Sequence, residues 1–133
     1  MITAVDTSVL LDVFTADPHF VTASQTALRQ AIQVGSLNVC AIVIAEIRPC
    51  FPARDQLTAA LETLGVKLSP ISQEAAFIAG EMWQQYRRAG GQRERLIADF
   101  LIAAHAQTSA ERLLTRDRGF YRRWFKELQI IEP

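Results

Sequence analysis

The stretch Ile2-Thr3-Ala4-Val5-Asp6-Thr7-Ser8-Val9-Leu10-Leu11-Asp12 decides how the rest of the chain is read. A mostly apolar run stops abruptly at Asp-Thr-Ser, and a helix-like apolar pattern follows at once. This describes a first strand whose C-terminal end presents a carboxylate, with Thr7 or Ser8 capping the next helix. In open α/β sheets, ligands bind beyond the C-terminal ends of the strands. What Asp6 is for, and which later residues join it, is the question put to the remaining sequence.

The chain has 133 residues, half of them apolar, which fits one domain with a single core and excludes a disordered chain. No apolar run reaches the ~18 residues that span a membrane. Asp6 and Asp12 interrupt the first apolar segment, so no signal peptide is expected and a cytoplasmic protein is the expectation. Cys40 and Cys50 have neither disulfide-framework nor zinc-finger spacing, and both are expected as small buried hydrophobes. His19 and His105 lack partners at metal spacing, which argues against zinc. The net charge of zero argues against a generally basic nucleic-acid binder, but the charge is unevenly spread. Residues 1–86 carry a net charge of −4, residues 87–126 carry nine Arg and a net charge of +6, and the last seven residues add −2. The arginine-rich stretch is either a local anion-facing surface or a solvated helix face.

In chain order, Val9 to Thr15 reads as a short helix broken by Asp17-Pro18, and Phe20 to Val34 as a second helix closed by Gly35. Leu37 to Ala41 reads as a second strand, and Ile42 to Ile47 as the start of a helix that Pro49 and Pro52 end. Arg54 to Leu64 has Leu57, Ala60, Leu61 and Leu64 at helical spacing, with Gly65 after it. Val66 to Ser69 is a third strand. Ser72 then caps a helix from Gln73 to Ala89, ended by Gly90-Gly91. A short basic connection, Gln92 to Arg95, leads to a very apolar helix from Leu96 to Ser109. Leu113 to Thr115 is a fourth strand, Phe120 to Phe125 a short aromatic helix, and Leu128 to Ile131 a terminal strand. Strands alternating with helices predict a mostly parallel sheet of four to five strands, covered on both faces.

Of the 14 acidic residues, most fall on exposed helix faces. Four sit in apolar frames at strand ends or helix starts: Asp6, Glu46 (Val-Ile-Ala-Glu-Ile), Asp99 (Ile-Ala-Asp-Phe-Leu-Ile) and Asp117 (Thr-Arg-Asp-Arg-Gly-Phe). An unpaired buried carboxylate costs several kcal/mol, so each position implies a partner. Singly, Asp6 reads as an N-cap, Asp99 as a first-turn residue facing the helix dipole, and Asp117 as a turn opener. Together they allow another reading. Helices that follow strands begin at the edge where the strands end, so all four can meet at one rim. An oxygen-rich cluster suits Mg²⁺ or Mn²⁺. Such ions activate water and neutralise charge on phosphate, and nearby arginines hold a polyanion by bidentate contacts.

With these positions in view, the chain resembles the PIN-domain family, in particular the VapC-type toxin ribonucleases of type II toxin–antitoxin pairs. The resemblance spans essentially all of residues 1–133 as one domain. It rests on four motifs in order: Val5-Asp6-Thr7-Ser8, Ala45-Glu46-Ile47, Asp99-Phe100-Leu101-Ile102-Ala103-Ala104-His105-Ala106, and Thr115-Arg116-Asp117-Arg118-Gly119-Phe120. Ser8 stands where the family frequently has Asn, and nothing between Pro49 and Ser69 is diagnostic.

The resemblance implies a three-layer α/β/α sandwich and a metal-dependent endoribonuclease. Asp6, Glu46, Asp99 and Asp117 would be its catalytic acids and ligands for Mg²⁺, with Mn²⁺ able to substitute. Thr7 and Ser8 either orient a ligand or merely cap a helix. Arg116 and Arg118 either hold RNA phosphate or pair with the acids. Arg87, Arg88, Arg93 and Arg95 extend that surface or meet a partner. Asp12 is expected at the surface or in a local salt bridge, His105 in a structural role, and Trp83 and Trp124 in packing. The implied partners are RNA, a cognate VapB-like antitoxin and a second copy of the chain, assembled as a toxin–antitoxin hetero-oligomer. Two alternatives are weaker. A haloacid-dehalogenase-like phosphatase needs an Asp where Ser8 stands, and a receiver domain needs a late-strand Lys that the chain lacks. A non-catalytic module on the same fold would be marked by missing acids, and all four are present.

Overall fold

A computed structural model describes residues 1–91 and 95–133. Residues 92–94, with Arg93 and most of the expected basic connection, lie outside the described residues. Five short strands form one sheet: β1 (Ile2–Val5), β2 (Ser36–Val39), β3 (Val66–Leu68), β4 (Arg112–Leu114) and β5 (Gln129–Ile131). Their order is β3-β2-β1-β4-β5, and every pairing is parallel. Ala4 at the centre stands opposite Asn38 on one side and Leu113 on the other. From Thr3 to Val5 the central strand is buried without alternation, as expected where helices cover both faces of a parallel sheet.

The helices are α1 (Thr7–Phe14), α2 (Val21–Gln33), α3 (Ala41–Ile47), α4 (Arg54–Leu64), α5 (Gln73–Arg88), α6 (Ile97–Ser109) and α7 (Arg118–Trp124). The chain moves outward from β1 through β2 to β3, then returns to place β4 on the other side of β1. Right-handed crossovers therefore put α1 to α4 on one face and α5 to α7 on the other. The reversal leaves a crevice at the C-terminal ends of β1 and β4, the place where such sheets bind ligands.

Local chemistry explains the element ends. Ser72 caps α5 by accepting the Ala75 N–H at 3.1 Å. Gly65 closes α4 in the left-handed region at φ 74°. Gly35 answers to crowding instead: a Cβ there would lie 1.6 Å from the Met1 carbonyl oxygen. Pro49 falls in a 3₁₀ turn, Arg48–Cys50, that ends α3 after seven residues. On the far face, Tyr86, Phe100, Phe120 and Phe125 form a buried aromatic cluster with centroids 5.2–6.2 Å apart. Trp124 joins it at 5.3 Å from Tyr86, and Trp83 packs at its margin. His105 is buried in α6, where its Nε2 meets the Ser109 hydroxyl at 3.0 Å. Burial holds the His105 pKa below its ordinary value.

Two expectations change. The first helix begins at Thr7, and its N-cap is Asp6 itself, not Thr7 or Ser8. Cys40 is buried as expected, but Cys50 is exposed because the proline-bearing turn carries it off the core. Among the described residues, no helix is long and apolar enough to cross a membrane.

Candidate active site

Asp6 leaves β1 directly into the crevice. Its own N–H donates to the Leu114 carbonyl at 2.9 Å, so the end of β1 is tied to the end of β4. Its carboxylate accepts the Thr7 N–H at 2.8 Å and the Thr115 hydroxyl at 2.7 Å. Both donors are neutral, and only 6% of the residue is exposed. Burial is the main force pushing its pKa up to about 6. The two hydrogen bonds oppose that shift, while the charges of Asp99 and Glu46 add to it.

The other acids arrive from separate elements. Asp99 lies in the first turn of α6 and is also pushed up, chiefly by burial. Arg95 opposes that shift, and Glu46 and Asp117 reinforce it. Asp117 is the N-cap residue of α7, and its N–H donates to the Thr115 hydroxyl at 2.9 Å. Thr115 thus links the first acid to the fourth. Glu46 lies in the last turn of α3, not near its start, because α3 is so short. The Thr7 hydroxyl donates to Glu46 Oε1 at 2.7 Å. Repulsion between Asp6 and Asp99, Asp6 and Glu46, and Asp99 and Asp117 places all four acids in one electrostatic neighbourhood.

Three of these acids sit at the N-termini of helices, α1, α6 and α7, whose partial positive charge favours an anion. The chemistry of the donor set, carboxylates backed by threonine hydroxyls, fits a hard divalent cation. Among the described residues, no three of these acids close on a common point.

The arginines are placed less simply. Arg116 forms a fork on Asp12, Nε to Oδ2 at 2.7 Å and Nη2 to Oδ1 at 2.9 Å. Its guanidinium also lies 4.0 Å from the ring centroid of Phe20. Asp12 is accordingly not a surface residue. It is 2% exposed, also accepts the Ser24 hydroxyl at 2.7 Å, and its arginine lies 104 positions away in the chain. Arg118 pairs with Glu132 at 2.6 Å on the surface. Ser8 accepts the Arg116 N–H at 3.4 Å. Arg87 and Arg88 are exposed at the end of α5, with Arg87 over the Trp83 ring at 5.2 Å. Arg95 reaches the cluster and bonds Asp117. A groove of about 740 Å³ runs along α5 past Phe77, Gly80 and Trp83, and none of the four acids lines it.

Sequence reasoning passed over three participants. Thr115 was visible in its motif but had no assigned role. Arg95 was one of several basic residues. Tyr121 is buried, and its burial together with the charges of Asp6, Asp99 and Asp117 holds its hydroxyl well above the ordinary phenol range. Its place in an aromatic heptapeptide gave no sign of that position.

The family model for the PIN domain matches residues 3–126. No curated protein matches the chain. Among solved structures, the chain is similar to VapBC2 from Rickettsia felis, bound to a DNA fragment from their promoter. There the TM-score is 0.76 at 19% identity, covering 100% of this chain and 99% of that one. VapBC-1 from nontypeable Haemophilus influenzae aligns with TM-score 0.72 at 22% identity, covering 99% and 98%. A DNA-bound VapBC from Salmonella typhimurium aligns with TM-score 0.67 at 16% identity, again covering 99% and 98%. At these identities the likeness is one of fold.

Proposed function

The chain belongs to the PIN domain family, and from that premise we propose that it is a metal-dependent endoribonuclease, the toxin of a VapBC-like toxin–antitoxin pair. One observation carries the reading: Asp6, Glu46, Asp99 and Asp117 come from four separate segments to one rim, and among the described residues Asp6 is buried there without a cationic partner.

In this reading Asp6 and Asp99 would hold a Mg²⁺ ion, with Mn²⁺ able to substitute, and Glu46 and Asp117 would complete the donor set. When bound, the ion supplies Lewis-acid activation of water and neutralises charge on the scissile phosphate. The protein's own part is to hold the acids in place. Thr7 fixes one oxygen of Glu46, and Thr115 fixes one oxygen of Asp6 while anchoring the backbone of Asp117. The helix ends at Asp6, Asp99 and Asp117 favour the charged form of these acids at the same edge. Arg118, exposed beside Asp117, is the proposed phosphate contact, since its surface pair with Glu132 is cheaply exchanged. Arg116 has Nε and Nη2 on Asp12, so any phosphate contact falls to its remaining nitrogen.

The VapBC assemblies that share the fold support a VapB-like antitoxin as partner. A homodimer within a toxin–antitoxin hetero-oligomer in the cytoplasm is part of the same proposal. Mapping cleavage ends on total RNA after brief induction tests the reading. Discrete new ends are expected with the native chain and none with Asp6→Asn. Identical RNA profiles for the two would refute it.

A further inference from the structure

Arg95 stands just before α6, four positions ahead of Asp99, and its Nη1 donates to Asp117 Oδ2. A second contact fixes the same group: the guanidinium carbon lies 4.3 Å from the ring centroid of Phe120, which is buried in α7. Arg95 also acts on Asp99, where it opposes the push of burial. Among the described residues, it is the one basic side chain paired with any of the four acids. Both partners are partly exposed, with side-chain exposures of 29% for Arg95 and 37% for Asp117. The pair can therefore open without unfolding its surroundings.

We propose that Arg95 is a tethered counter-cation: it holds Asp117 when no divalent ion is present and competes with that ion for the carboxylate, and so sets the ion affinity of the site. The inference rests on reading the four acids as a metal site and adds the means by which that site is regulated. Two positive groups on one carboxylate repel each other at contact range, so Arg95 on Asp117 weakens that carboxylate's hold on the ion. The Phe120 ring gives the guanidinium a resting place that an ammonium group would fill poorly, so the device calls for arginine.

Titration of the intact chain with Mn²⁺ alone, with free ion counted by electron paramagnetic resonance, tests this without reference to activity. Arg95→Gln should bind Mn²⁺ roughly fivefold more tightly than the native chain, the scale of one partly exposed charge pair. Arg95→Lys keeps the charge but loses the guanidinium's ring contact, and should fall between them. The gain should vanish in an Asp117→Asn background, where nothing is left to compete for. Equal or weaker binding by Arg95→Gln, while the native chain binds, would overturn the proposal and leave the metal site standing. No binding by any variant would overturn both.

Discussion

Asp6 and Asp12 stand near the two ends of α1, both almost wholly removed from water, and the fold treats them in opposite ways. Asp12 receives a two-pronged arginine and a serine hydroxyl. Asp6 receives one backbone N–H and one threonine hydroxyl, with more acids facing it. Burying a carboxylate without a counter-charge is costly, and the protein shows at Asp12 that it can supply one. The difference separates two uses of the same residue. Asp12 locks α1 to the loop beyond β4. Asp6 is left with charge to spare at the crevice where β1 and β4 end.

That contrast can be broken by exchanging what each acid loses. Asp6→Asn or Asp99→Asn should lower RNA cleavage by about 100-fold or more, beyond the loss typical of groups that only orient a ligand, with the fold intact by circular dichroism. Asp12→Ala should do the reverse. It strands a partly buried guanidinium and should cost about 3 kcal/mol in urea unfolding, while the activity of the folded fraction changes little. A stable Asp12→Ala protein that cannot cleave would move Asp12 into the site.

The pH dependence sharpens the same distinction. The folded pKa of Asp6, about 6, lies above its ordinary 3.8, so its favourable contribution is complete below about 3.8 and lost as pH rises through about 6. In metal-free buffer, the Asp6→Asn protein should therefore gain about 1–3 kcal/mol on the native chain between pH 4 and pH 7. Added Mg²⁺ should cancel that gain, and parallel stability curves for the two proteins would contradict it. A smaller effect is expected at Thr115→Val, which removes the bridge between Asp6 and Asp117. Its cleavage rate should fall ~10- to 100-fold, with a stability loss of about 1–3 kcal/mol. Smallest of all, Arg118→Ala should leave stability within about 1 kcal/mol and weaken only the affinity for RNA.

Much of this arrangement was legible in the sequence because it follows from local rules. The limits of α4, the Ser72 cap and the Gly65 stop are set within a few residues. The meeting of four acids at one edge follows from the alternation of strands and helices. Two of the plain readings held: Asp6 is an N-cap residue and Asp99 is in a first turn, whereas Asp117, read as a turn opener, stands at the N-cap position of α7. Those positions do not compete with a site, because the helix starts themselves bring the acids together. What stayed hidden depends on pairs distant in sequence. Asp12 with Arg116, and Arg95 with Asp117, require the sheet order to be known before a side chain has a neighbour. Thr115 was read as the last residue of a strand. Its hydroxyl, one position past β4, instead joins two acids.

The central claim is that Asp6 and the acids around it work by holding a divalent ion. It is tested most directly by assaying the purified chain on total RNA with EDTA and then with Mg²⁺ restored, beside Asp6→Asn. The account predicts cleavage that stops with the chelator, returns with the ion, and is absent from the variant throughout. Cleavage that persists in EDTA, or that Asp6→Asn performs at the native rate, would contradict it.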